Sequence, residues 1–144
     1  MNDTNNIVAQ VCDLLKIKTP KIVVSPKKML TKTMLALYET EHNTIYLKNK
    51  TIDLDMIFTI AHELRHVWQL KPENKNRFFN NYKERTEIDL LEYNKQLPEV
   101  DANAFASITI IELFQCMPLY KGMDQEIVKL IKTRIQEIYK EMNS

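Results

Sequence analysis

Five residues, His62-Glu63-Leu64-Arg65-His66, constrain this chain more tightly than any other feature. Two imidazoles at i and i+4 stand one above the other only on an α-helix, so this spacing asks for a helix there. Both rings can then reach one ion, and zinc takes imidazole nitrogen at about 2.0–2.1 Å. Glu63 follows His62 by about 100° around the helix, so it borders the ion without ligating it. There it can take a proton from a water that zinc acidifies to a pKa of roughly 7. The surrounding residues agree: Ile57, Ile60, Ala61, Leu64 and Trp68 share a face almost opposite the histidines. One side of the helix is anchored while the other looks onto a cleft.

A catalytic zinc takes three protein ligands, so one more must come from elsewhere. The run Pro98-Glu99-Val100-Asp101-Ala102-Asn103-Ala104-Phe105-Ala106 offers two acids. On a helix they diverge by about 160°, so only one can face the metal. Glu99 shares its side with Asn103 and with the small Ala102 and Ala106, which let a second helix approach closely. It is the favoured ligand, with Asp101 the alternative. If Glu99 ligates, Asp101 either holds the N–H of a ligand imidazole or simply favours the helix dipole.

The rest of the chain reads as helix, small sheet, then helices, an α+β order within one domain spanning residues 1–144. Ile7, Val8, Val11, Leu14 and Leu15 fall at helical spacing behind an Asp3/Thr4 cap. Short β-type runs follow at Ile22 to Val24, Leu35 to Tyr38 and Thr44 to Leu47, the last two joined by a turn at Glu41-His42-Asn43. The metal-site helix should start near Asp53 to Asp55 and reach about Leu70, stopped by Pro72. Residues 71–96 are charged and Asn-rich and suggest helical pieces on the surface. Pro98 opens a helix that is apolar on almost every side to about Met117. Asp124 caps a last helix with Ile127, Ile131, Ile135 and Ile138 along one stripe.

Composition removes several functions. One glycine, Gly122, cannot build a glycine-rich phosphate loop. Lys plus Arg number 20 against 19 acids, which leaves no broad basic surface for nucleic acid. Cys12 and Cys116 read as reduced, mostly buried thiols. The polar N-terminus and short apolar runs predict neither a signal peptide nor a membrane span, and hence a cytoplasmic protein.

H-E-x-x-H followed by E-x-D/E-A-N-x-F-A, here Glu99 to Ala106, is similar to the minimal gluzincin pattern of the ImmA/IrrE-type metallopeptidases. The resemblance implies a zincin-like fold with a small sheet packed on the active-site helix, and Glu99 as third zinc ligand. A strand such as Thr44 to Leu47 just upstream fits that order. Arg65 stands where the family usually has glycine, and the spacer from His66 to Glu99 is longer and more charged. The implied activity is zinc-dependent hydrolysis of a peptide bond in a protein or peptide substrate. A zincin-fold regulatory binding protein with little turnover is the alternative; the intact Glu63 argues against it, because a metal clamp alone has no need of that base.

Other residues read plainly. His42 is expected to be solvated, Arg65 to be a surface charge able to pair with an acid, and Trp68 to lie in the core. Tyr82 and Tyr93 are expected to pack, though either could stabilise a tetrahedral intermediate. The Thr44 to Leu47 strand is a candidate for pairing an extended substrate along its edge.

Overall fold

The computed structural model describes residues 4–144, so the expected cap at Asp3 and Thr4 lies outside the described side chains. The order is α1 (Thr4–Leu15), β1 (Lys21–Val24), a 3-10 turn (Pro26–Lys28), β2 (Ala36–Glu39), β3 (Thr44–Leu47), α2 (Leu54–Gln69), α3 (Pro72–Phe79), α4 (Leu90–Asn94), α5 (Leu97–Phe114) and α6 (Gln125–Met142). The architecture is α+β.

α1 buries Ile7, Val8, Val11, Cys12 and Leu15. Leu14 falls at the margin of that stripe and is 54% exposed, unlike its neighbours. Lys16 ends the helix at φ 57°, and the Ile17 amide bonds back to the Cys12 carbonyl, a Schellman closure made without glycine. Both cysteines are free; Cys12 is buried, but Cys116 is exposed beyond the end of α5, contrary to its expected burial.

The sheet runs β1-β3-β2, with β3 parallel to β1 and antiparallel to β2. β3 is therefore central, with both sides of its ladder occupied. An extended substrate cannot pair along it, as the sequence had suggested; the free edges belong to β1 and β2.

α2 starts where Asp53 accepts a hydrogen bond from the Met56 amide (2.9 Å), the expected cap chemistry. It buries Met56, Ile57, Ile60, Ala61 and Leu64. Pro72 does not merely stop it but opens α3, since its missing N–H costs nothing in a first turn. Trp68 lies half-buried against Phe78 of α3, ring centroids 5.4 Å apart. The spacer beyond α3 holds one further short helix, α4.

α5 is the central element. Every residue from Pro98 to Ile110 is buried except Asn103, because α2 lies against one side and α6 against another. It ends at Phe114, earlier than expected, where Gln115 takes a left-handed conformation at φ 52°. α6 buries Ile127, Ile131, Ile135 and Ile138 as its stripe predicts, and with them Arg134. No helix among the described residues is long and apolar enough to cross a membrane.

Candidate metal centre

The packing of α2 against α5 brings His62 and His66 to face Glu99 in the first turn of α5. The two imidazole Nε2 atoms lie 3.1 Å apart. Glu99 Oε1 is 3.5 Å from His62 Nε2, and Oε2 is 3.3 Å from His66 Nε2. Two ligands of a tetrahedral ion, each about 2.0–2.2 Å from it, stand about 3.3–3.6 Å apart. The three donors are spaced for one such ion, and their two imidazoles and one carboxylate suit zinc.

The outer ring nitrogens fix how the imidazoles face. His62 Nδ1 meets Asn103 Oδ1 at 2.7 Å, and His66 Nδ1 meets Gln69 Oε1 at 2.8 Å. The Gln69 amide nitrogen donates to the Pro98 carbonyl (2.9 Å) and to Asp101 Oδ2 (2.8 Å). With both its N–H groups engaged, Gln69 can only accept from His66, so Nδ1 carries a hydrogen and Nε2, once it gives up its own proton, turns a lone pair inward. Asn103 does the same for His62 from the one position of the buried α5 stretch that is not fully enclosed.

Burial would raise the Glu99 carboxyl, but hydrogen bonds from His62 and His66 and their charge hold it far below its usual range. Burial would lower His66, yet Glu99's hydrogen bond and charge hold it up at about 9. Positive charge is what this cluster stabilises, and a bound cation and an imidazolium proton compete for the same place.

Glu63 is half-buried and makes no hydrogen bond or ion pair among the described residues. Its charge is nonetheless felt at His66 and at Tyr93. An unengaged carboxylate thus borders the cluster on the helix that carries both histidines.

The spacer folds back over this site. Tyr82 donates to the Tyr93 hydroxyl at 2.7 Å and lies 3.5 Å from Glu99 Oε2. Burial first pushes both phenols above their ordinary pKa. The hydrogen bond to Tyr93 and then the charge of Glu99 add at Tyr82, and the charge of Glu99 adds at Tyr93 against the bond that Tyr93 accepts from Tyr82, so both keep their hydrogens at neutral pH. The Gln96 side-chain amide holds the segment in place: its oxygen accepts from the Lys83 amide (2.7 Å) and its nitrogen donates to the Lys83 carbonyl (2.9 Å).

Asp101 points away from the cluster, at 0% exposure. It takes Arg65 at 2.7 and 3.0 Å and Arg134 Nε at 2.8 Å. Arg65 is therefore no surface charge. It is 5% exposed, with its guanidinium 3.7 Å above the Trp68 ring and 5.0 Å from that of Phe105. Nor does Asp101 touch an imidazole; it reaches His66 only through Gln69. Burial would raise its carboxyl, but Arg65, Gln69 and Arg134 hold it below the ordinary value. Sequence reasoning missed Gln69 and Arg134, though each left a trace. Gln69 sits three residues after His66 on the same helix, and Arg134 occupies a place in the apolar stripe of α6 between Ile131 and Ile138. His42 is exposed in the β2–β3 turn, where it meets Glu39, and takes no part in the cluster.

In comparison with known families, one described as the IrrE N-terminal-like domain, of peptidase type, matches residues 17–142. No curated protein and no solved structure matches the chain.

Proposed function

The chain belongs to the IrrE N-terminal-like family of metallopeptidase-type domains, and from that premise we propose that it is a zinc-dependent peptidase hydrolysing a peptide bond in a protein or peptide. The observation that carries this reading is the convergence of His62, His66 and Glu99 with Glu63 unengaged beside them. His62 and His66 would hold the ion through Nε2 and Glu99 through its carboxylate. Zinc, when bound, supplies Lewis acidity for a substrate carbonyl and lowers the pKa of water. Glu63 accepts the attacking water's proton and passes it to the amide nitrogen as the C–N bond breaks. Asn103 and Gln69 keep both Nε2 lone pairs turned toward the centre. The negative charge of Glu99 offsets that of the ion in a site made partly from the buried stretch of α5.

Zinc titration of chelator-treated protein tests the ligand set. One zinc per chain is expected, with His62→Ala, His66→Ala and Glu99→Ala each losing far more affinity than Gln69→Ala. Removing an outer partner of a ligand costs about 10–100-fold, and Asp101→Asn should stay within that range. Full zinc occupancy in the histidine variants would reject the site, and a greater loss in Asp101→Asn than in Glu99→Ala would reject the third ligand. Incubating zinc-loaded protein with a proteome-derived peptide library then tests the reaction itself, through new peptide termini that a chelator suppresses.

A further inference from the structure

Tyr93 carries a donor that the folded chain does not use. Its oxygen already accepts from Tyr82 at 2.7 Å, while its own hydrogen has no acceptor among the described residues. A half-buried hydroxyl in this position can give that hydrogen to a molecule entering the site. Its surroundings indicate what that could be. The phenol it accepts from lies 3.5 Å from Glu99 Oε2, and Tyr93 itself registers the charge of both Glu63 and Glu99. The spare O–H therefore stands one neighbour away from an inferred ligand, on the side of the site where the charge of Glu63 is still felt.

We propose that Tyr93 is a catalytic residue that donates a hydrogen bond to the scissile carbonyl oxygen as it becomes negative, with Tyr82 as its positioning residue. The inference rests on the peptidase reading above. As the water oxygen bonds to the carbonyl carbon, the π pair moves onto the carbonyl oxygen. That oxygen accepts from Tyr93 without taking its proton. The proton held by Glu63 goes to the leaving nitrogen when the C–N bond breaks, and the carbonyl then re-forms. Tyr93 thus returns to its starting state with no net transfer.

Tyr82 is suited to orient it. Its short donation to the Tyr93 oxygen turns the Tyr93 hydrogen away from Tyr82 and leaves it available to a substrate. Its proximity to Glu99 also ties the spacer to α5, so the two phenols are placed by the element that carries the carboxylate. An interaction that strengthens as charge develops lowers the barrier rather than merely improving binding.

The test uses acetohydroxamate on the zinc-loaded chain, because this small chelator needs no knowledge of the substrate sequence and its carbonyl oxygen imitates the reacting one. Tyr93→Phe is expected to weaken acetohydroxamate binding about 10–100-fold, the range for a hydrogen bond to a charged group, with zinc affinity and melting temperature unchanged. Tyr82→Phe, which keeps the donor but frees its orientation, should give a smaller loss. On a peptide found to be cleaved, Tyr93→Phe should lower kcat about 10²–10³-fold at unchanged KM, as loss of one oxyanion donor does. Equal acetohydroxamate affinity in parent and Tyr93→Phe overturns the proposal. So does a fall in zinc affinity that accounts for the whole effect, since the phenol would then serve the ligands alone. A parent that binds no zinc, or binds zinc but not acetohydroxamate, overturns the peptidase reading and takes this inference with it.

Discussion

Glu63→Gln is expected to keep its zinc and lose its cleavage. The substitution preserves size and polarity but removes the one carboxylate at the cluster that neither ligates nor pairs. General-base catalysis contributes about 10²–10⁴-fold, so turnover should fall by at least that much. Zinc affinity should change little, because Glu63 lies outside the three donors that converge. Zinc titration and peptide cleavage on the same preparation separate the two effects. A variant that cleaves as fast as the parent removes Glu63 from the mechanism. If neither protein cleaves a physiological partner that both bind equally, the domain is a binding module built on a peptidase fold.

The second large effect belongs to Asp101. Arg65 and Arg134 are 5% and 4% exposed and both pair with this carboxylate, Arg134 keeping Glu137 and Glu141 besides. Asp101→Ala would leave two guanidinium groups in the core with their shared counter-charge gone. Breaking a buried pair from one side costs about 3–5 kcal/mol, which lowers the melting temperature by about 10 °C for a chain of this size. The pH dependence follows from the same charge. The folded Asp101 carboxyl lies below its ordinary pKa, so its stabilisation is fully present above about pH 4. It is lost as pH falls from there through the folded pKa, because the unfolded chain takes up the proton more readily. Denaturant melts of the parent and Asp101→Asn should therefore differ most at neutral pH and converge below pH 4. A gap that stays constant down to pH 3 would show that Asp101 is not held ionised by its arginines.

The helical residues announced themselves where one local rule sufficed. The i, i+4 histidines could only share a face on a helix, Asp124 was set to cap, and the isoleucines of α6 marked its buried side. Two positions on a helix point apart, so only one of Glu99 and Asp101 could face the histidines, and the small Ala102 and Ala106 beside Asn103 favoured Glu99. What escaped was whatever depends on a third element. Arg65, between His62 and His66 on a helix thought to face a cleft, looked exposed; it is covered because α5 and α6 close over that side. Edge pairing stayed open for β3 because a run of four residues says nothing about which strands flank it. The tyrosines lie in a stretch without hydrophobic period, and only the return of the chain from α3 to α5 brings them above Glu99.

The Gln96 amide gives the site a clock as well as a shape. One side chain latches the stretch that holds Tyr82, through two exposed hydrogen bonds to Lys83 worth about 0.5–1.5 kcal/mol each. Releasing them together with the Tyr82–Tyr93 hydrogen bond leaves α2 and α5 undisturbed, so this stretch can swing open at a fraction of the cost of unfolding. Gln96→Ala should speed amide hydrogen exchange at Lys83 while leaving the middle of α5 as slow as before; equal speeding in both places would mean that the stretch does not open by itself. Entry of a peptide and departure of its fragments would then follow the opening of a loop, on a timescale of nanoseconds to microseconds, and leave the rigid helices to keep the chemistry in register.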